Sequence, residues 1–294
     1  MVAAAGTVRD ALGAATDALA AAGVEEARLD AEVLLAEATG WERAALVADR
    51  SAGLEPTAAR RFGETVRRRL RREPVAYIVG SKGFRRLELA VDRRVLVPRP
   101  ETELLVELAL ELRPARVLDV GTSSGAIALA VADELPGAQV VATDTSAGAL
   151  DVARANAERL GLCDRVRFVA GTLPEGESFD LVLANLPYVA ERDWRSLQPE
   201  VTQWEPREAL LAGHEGLDAY RDLFAPDRVR RSLSYGEQAT NGAGVGATAV
   251  AVEVGEGQAA AVAELVRGAG WSEVGTRRDL AGIERVVVGQ GAAG

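Results

Sequence analysis

From Arg116 onward the chain alternates short apolar runs with helical stretches, and no other feature constrains the fold as tightly. Residues 117–120 (VLDV), 139–143, 166–169, 179–184, 250–254 and 285–288 read as strands, and 126–134 and 147–160 as helices. Runs this short and this apolar suit strands buried on both faces. Their alternation with helices calls for a mostly parallel sheet covered on each side. The class is therefore α/β.

A different pattern precedes it. Residues 7–72 carry apolar side chains at helical spacing, beginning with Val8, Leu12, Ala15, Leu19 and Ala22. Thr7 and Asp10 have the spacing of a capping box, and Gly23 is a stop. A second helix holds Leu29, Val33, Leu34 and Ala36 and ends near Gly40, with further helices over about 41–49 and 57–72. Glu73-Pro74 breaks the run, because proline disfavours helix in the residue before it. Residues 84–91 alternate, a charged turn follows at Asp92-Arg93-Arg94, and 95–97 return, which predicts a hairpin closed off by Pro98 and Pro100. Residues 101–112 then read as helix. The expected organisation is a helical domain over 1–75, a hairpin linker over 76–98 and an α/β domain over 99–294. The Gly- and Ala-rich stretch 236–248 reads as a flexible loop, and the tail GQGAAG as disordered.

Composition excludes some functions. A net charge of -10 argues against a general nucleic-acid surface. The exception is a local cluster of Arg60, Arg61, Arg67, Arg68, Arg69, Arg71 and Arg72, which reads as a solvated helix face or as a docking surface for an acidic partner or RNA. Cys163 is the only cysteine, so no intrachain disulfide can form, which fits a reducing cytoplasm. The N-terminus lacks a basic segment and does not read as a signal peptide, and no apolar run is long enough to predict a membrane span.

The first strand of the sheet runs into Gly121-Thr122-Ser123-Ser124-Gly125 and then a helix. In open α/β sheets ligands bind at this edge. Glycines let the backbone approach a ligand, and the helix start offers free N–H groups. Asp144 ends the next strand, 19 residues after Gly125, the spacing at which an acid meets a ribose hydroxyl in nucleotide-binding units. It could instead cap the following helix. Together these elements fit NAD or S-adenosylmethionine. The turn is not G-x-G-x-x-G and offers no pyrophosphate cradle, which favours the methyl donor.

Asn185-Leu186-Pro187-Tyr188 follows the strand at 179–184, beside that site. An amide nitrogen is a poor nucleophile, since its lone pair is delocalised into the carbonyl. A catalyst must hold both its N–H bonds and aim the nitrogen. The Asn185 side-chain oxygen can accept one N–H and the Leu186 backbone C=O the other. Pro187 stiffens the turn and Tyr188 can stack on the planar amide.

These motifs resemble the release-factor glutamine N5-methyltransferases, often called HemK-like. The resemblance runs through LDAEVLLAEATG (29–40), EPVAYIVG (73–80), VLVPRPETELLVE (95–107), VLDVGTSSGAIALA (117–130) and LANLPYV (183–189). It continues in PEVTQWEPREALLAG (199–213), GLDAYRDL (216–223) and DLAGIERVVVG (279–289). It implies a Rossmann-like class I methyltransferase sheet binding S-adenosylmethionine, and a helical N-terminal domain that recognises peptide chain release factors. The methylated glutamine would lie in their Gly-Gly-Gln motif. It also implies a donor-binding set of Gly121, Thr122, Ser123, Ser124, Gly125, Asp144, Thr172, Leu173 and Asn185. Three departures stand out. Leu186 replaces the first proline of the family's Asn-Pro-Pro-Tyr, Thr172 lies where the family carries an Asp facing the adenine, and the loop before residue 250 is long. His214 is read as a surface residue, and Trp194 and Trp204 as packing residues. Two rivals remain: a methyltransferase for exocyclic amino groups of nucleic acid, which would need a basic groove, and a degenerate fold that only binds a partner. No direct nucleic-acid partner is expected, and the oligomeric state is open.

Overall fold

The computed structural model describes residues 6–174, 177–225 and 249–292. They form two compact units: one runs to Ser81 and takes in Gln198–Trp204, and the other comprises Lys82–Leu197 and the chain from Glu205 onward.

The first unit contains α1 (Val8–Ala21), α2 (Ala27–Thr39), α3 (Arg43–Ala48), α4 (Pro56–Leu70) and α5 (Val75–Val79). The capping box forms: the Thr7 hydroxyl accepts from the Asp10 N–H and the Asp10 carboxylate accepts from the Thr7 N–H. Leu12, Leu19, Leu34, Leu35 and Leu46 make a fully buried core. α5 was not expected. Pro74 starts it rather than beginning an extended linker, and Gly80, at φ 85°, ends it.

The arginine cluster is only partly a solvated face. Arg69 is buried, donates to Asp30 at 2.7 Å and pairs with Glu200 at 2.7 Å. Arg72 makes a two-pronged pair with the same Glu200, and Arg68 with Glu73. This network ties the short helix that holds Glu200 into the first unit. Arg60, Arg61, Arg67 and Arg71 remain exposed.

The second unit opens with a hairpin that differs from the expected one. β1 (Ser81–Phe84) and β2 (Leu87–Ala90) turn at Arg85-Arg86, with Arg85 at φ 53°. Residues 95–97 form no strand. The Val95 N–H turns back to the Asp92 carbonyl at 3.1 Å, while side chains take the next two donors: the Leu96 N–H donates to the Ser123 hydroxyl at 3.0 Å and the Val97 N–H to Glu205 at 3.1 Å. The expected single strand over 84–91 is therefore interrupted by the turn at Arg85-Arg86, and the apolar run at 95–97 signalled burial of Val95 and Val97 but not the partner.

Next come a 3₁₀ turn (Pro100–Thr102), α6 (Glu103–Leu112), β3 (Arg116–Val120), α7 (Ala126–Glu134), β4 (Gln139–Asp144), α8 (Ala147–Leu160), β5 (Val166–Ala170) and β6 (Leu181–Ala184). α9 (Pro199–Trp204) is the helix of the first unit that carries Glu200, and α10 (Asp218–Leu223), β7 (Ala249–Glu253), α11 (Ala259–Gly268), β8 (Trp271–Arg278) and β9 (Glu284–Ala292) complete the chain. The sheet order is β5-β4-β3-β6-β7-β9-β8. β3 to β7 are parallel, and β9 runs antiparallel to both its neighbours. One buried cluster, with α6 and α7, covers one face, and another, with α10 and α11, covers the other. The α/β sheet expected from sequence is therefore present.

Two details correct the expectation. β8 was not foreseen: it is an edge strand, exposed along most of its length, so it shows no apolar run. The glycine-rich tail is not disordered through residue 292, because β9 includes it. A Cβ on Gly289 would sit 2.6 Å from Val266, so glycine there permits close packing rather than disorder. The loop at 236–248 lies outside the described residues.

Candidate active site

β3 leads to β4 and β5 on one side, and β6 lies on its other side. Strand order reverses there, and at such a switch point the diverging loops leave a crevice beyond the carboxyl ends of the strands. The turn after β3 is shaped for it. Gly121 has φ 75°, and the Gly121 and Thr122 N–H groups both donate to the Thr143 carbonyl at 2.9 Å. A Cβ on Gly125, at φ 85°, would meet Leu129 at 2.9 Å, so glycine is required where α7 begins.

Asp144 stands at the end of β4. One carboxylate oxygen accepts the Ser123 N–H at 2.9 Å and the other the Ser146 N–H at 2.8 Å. It is not the cap of α8. Ser146 is, its hydroxyl accepting from the Ala149 N–H at 3.2 Å. Asp144 instead braces the glycine turn, which holds Ser123 at φ 52°.

A cavity of about 220 Å³ opens at this edge, with Gly121, Ser123, Asp144, Thr172, Asn185, Leu186 and Pro187 in its wall. Apolar groups from Leu96, Ala149, Ala219 and Leu223 complete it. A larger concavity of about 540 Å³ lies at the other ends of β3, β4 and β5. There Arg116 and Arg167 pair with Glu177, and Arg165 donates to the Leu135 and Ala138 carbonyls, so its cations serve local structure.

Five of the expected residues sit behind the cavity wall rather than in it. The Thr122 hydroxyl donates to Asp119 at 2.6 Å, the Ser124 carbonyl accepts from Asn156, and Gly125 packs on Leu129. Leu173 and Tyr188 pack against the apolar cluster on the α10–α11 face of the sheet. Burial, with the charge of Glu253 second, pushes the Tyr188 hydroxyl up to about 12. His214 is exposed, as expected, and Trp194 is half-buried with the Arg207 guanidinium 5.2 Å over its ring.

The comparisons with known proteins agree with this arrangement. Residues 10–80 match the PrmC N-terminal domain and residues 117–204 a methyltransferase domain. A release factor glutamine methyltransferase of Caulobacter vibrioides is 40% identical, covering 94% of this chain and 93% of the relative. One of Geobacter sulfurreducens is 41% identical, over 97% and 96%. The chain belongs to the release factor glutamine methyltransferase family. Among solved structures, the hMettl16 catalytic domain in complex with a MAT2A 3'UTR hairpin is similar at TM-score 0.54. It is 15% identical and covers 68% of this chain and 74% of that one, a likeness of fold alone.

Family membership directs attention to Asn185. Its side-chain N–H donates to the Thr102 hydroxyl at 3.0 Å, and that hydroxyl donates to Glu253 at 2.6 Å. Thr102 and Glu253 are both buried, and burial raises the Glu253 carboxyl to about 7 against the pull of Thr102. Neither residue was singled out from sequence. Their signal was available: Thr102 sits inside PRPETE, and Glu253 is the one charge in the strand AVAVE. Asp119 was likewise missed. It is fully buried in β3, one of its oxygens has no hydrogen-bond partner among the described residues, and burial raises it to about 7.

Proposed function

We propose that the protein transfers a methyl group from S-adenosylmethionine to the side-chain amide nitrogen, N5, of the glutamine in the Gly-Gly-Gln motif of peptide chain release factors. The observation that carries this reading is the Asn185 amide, held by its nitrogen on Thr102 at the wall of the switch-point cavity. Family membership over nearly the whole chain supports it.

The cavity suits the donor chemically. Asp144 offers a carboxylate for ribose hydroxyls, Gly121 allows close backbone approach, and Leu96 and Leu223 offer apolar surface to a purine. Thr172, in the wall after β5, can hydrogen-bond the base edge but brings no charge. When bound, the donor supplies an electrophilic methyl group on a sulfonium centre.

The remaining work falls to this chain. Asn185 turns its carbonyl oxygen to the substrate amide and accepts one N–H. The Leu186 backbone carbonyl accepts the second, a role that survives the loss of the family's proline because it needs no side chain. Pro187 limits the freedom of the turn. Tyr188 closes the loop, its carbonyl accepting from Gln258 at 2.9 Å. A Cβ on Gly216 would lie 2.3 Å from that carbonyl, so the segment after the EPREAL motif is fitted to the loop. Holding the nucleophile in line supplies acceleration through proximity, up to roughly 7–11 kcal/mol in favourable systems. Residues 1–75 recognise the release factor, and the α/β unit binds the donor.

The test is mass spectrometry of purified release factors after incubation with the protein and methyl donor. A 14 Da gain on the Gly-Gly-Gln glutamine is expected. Transfer to nucleic acid in place of the factor, or donor binding without transfer to either, would overturn the assignment.

A further inference from the structure

Catalysis by Asn185 depends on which way its amide faces. An asparagine offers two N–H donors on one side and a carbonyl acceptor on the other. Only the orientation with oxygen toward the substrate can accept an N–H from glutamine. The flipped amide would set donor against donor.

We propose that Thr102 and Glu253 are positioning residues that fix this orientation, through a one-way hydrogen-bond relay from Asn185 to Thr102 to Glu253. The inference rests on the glutamine-methylation reading for its substrate, but the relay itself is a property of the chain alone.

The direction follows from counting protons. An ionised Glu253 can only accept. Thr102 has a single hydroxyl proton, and Glu253 takes it at 2.6 Å. The Thr102 oxygen is then left with lone pairs for Asn185 and must receive a donor, the side-chain nitrogen, at 3.0 Å. The planar amide therefore carries its oxygen on the other side. Thr102 and Glu253 are buried, so water does not readily substitute for either partner. The elements come together because β6 and β7 are neighbours in register, Ala184 beside Val252. Asn185 and Glu253 are the residues that follow these two positions, and the turn before α6 delivers Thr102 between them.

The relay is also a proton-sensitive lock. A protonated Glu253 can donate to Thr102, whose own proton then becomes free to point at Asn185 and favour the flipped amide. Burial is the largest influence holding the Glu253 proton, and Glu101 adds to it. Thr102, Arg285 from β9 and Arg99 from the segment before the turn oppose it. The charge of Glu253 also acts on the Tyr188 hydroxyl, and the Tyr220 hydroxyl from α10 donates to the Glu253 backbone carbonyl at 2.6 Å. Because Glu253 is raised to about 7, turnover should fall as pH drops through neutrality.

The experiment compares the parent with Thr102→Val, Thr102→Ser and Glu253→Gln, reading kcat and donor KM for release-factor methylation from pH 6 to 8.5. The Val variant keeps the shape and deletes the hydroxyl, so kcat should fall about tenfold or more, the loss of one hydrogen bond, with donor KM unchanged. Ser should restore most of it. Gln cannot titrate, so the inflection near neutrality should vanish whichever way its amide sits. In parallel, the Asn185 side-chain amide resonances of the unliganded protein should titrate near neutrality in the parent and not in Glu253→Gln. That readout stands even if release factor proves not to be the substrate, which would show as an inactive parent. Parental kcat in a folded Thr102→Val variant, an inflection that persists in Glu253→Gln, or an Asn185 amide indifferent to Glu253 would each overturn the relay. Should the Val variant not fold, the Gln variant decides.

Discussion

Asp144→Ala separates what the carboxylate does for the donor from what it does for the fold. In the folded protein both oxygens already accept backbone N–H groups, from Ser123 and Ser146. Each retains lone pairs toward the cavity for a ribose hydroxyl. Hydrogen bonds to a charged group contribute about 1.5–3 kcal/mol each. A carboxylate shared among four donors holds each less tightly, so the expected loss is about 1.5–3 kcal/mol in all, roughly a ten- to hundredfold rise in Kd. Calorimetric titration with S-adenosylhomocysteine measures it, since that product shares the ribose and lacks the reactive methyl. The variant also frees the two backbone N–H groups, both half-buried. Their exposure to water limits the cost to about 1 kcal/mol each, visible as a lower thermal midpoint without ligand. A folded variant that binds with parental Kd would refute the ribose role and leave Asp144 as a brace for the turn. A variant with weakened binding and an unchanged midpoint would refute the bracing role.

Three further outcomes are expected. Asn185→Ala should cut methyl incorporation into release factor by about a hundredfold or more while the fold stays intact, since removing one preorganised group at a reacting centre costs on that scale; near-parental turnover would sink the amide-clamp mechanism. Leu186→Pro keeps the backbone carbonyl and stiffens the loop, so activity should be equal or raised, while the loss of a buried side chain that reaches within 3.4 Å of a Cβ at Gly121 should lower stability by about 1 kcal/mol. Asp119→Asn should stabilise the protein at pH 8.5 but not at pH 4. The folded state holds the Asp119 proton up to about 7 and the unfolded chain releases it near 3.8, so the parent loses stability as pH rises between those values, a penalty on the order of a few kcal/mol that an uncharged side chain avoids. Thermal midpoints of parent and variant at both pH values decide it, and a difference that does not change with pH would rule Asp119 out as the source.

The parts of the fold legible in the sequence were those where one physical cause acted alone. β3 and β4 are buried on both faces and read as largely apolar runs, broken in β3 by Asp119, and the first helix announced itself through Thr7, Asp10 and the spacing of Leu12 and Leu19. Where two causes competed, the reading failed. Residues 95–97 have a strand's apolar pattern, but the side chains of Ser123 and Glu205 take the backbone donors of Leu96 and Val97. Gly289 and Gly291 have the composition of a disordered tail, yet they belong to β9, and Gly289 packs tightly under Val266 and Trp271. β8 shows little apolar pattern to betray it, since past Trp271 and Val274 its side chains are exposed. The arginine run over 60–72 gave no sign that Arg69 and Arg72 would be spent on a glutamate more than a hundred positions away.

The site divides along the same line. Gly121, Asp144 and Asn185 could be found because each ends or follows a strand of the parallel sheet, and the carboxyl edge of such a sheet is where its loops converge. What surrounds them could not be found that way. Glu253 ends a strand too, but it belongs to the site only through Thr102, and Thr102 comes from a turn before the sheet begins. Nothing in the spacing of residues 102, 185 and 253 forecasts that contact, because it is made by the order of strands and not by their sequence. A buried acid in an otherwise apolar strand was nevertheless a usable sign. Burying a carboxyl is costly unless a partner takes its charge or its proton, so a glutamate in AVAVE demands an explanation, and the relay to Asn185 gives one. The same reasoning applies to Asp119, whose unpartnered oxygen lies under the glycine turn. There the structure supplies Thr122 and the Ala128 N–H for one oxygen only, so Asp119→Asn tests whether that carboxyl is held protonated in the resting fold.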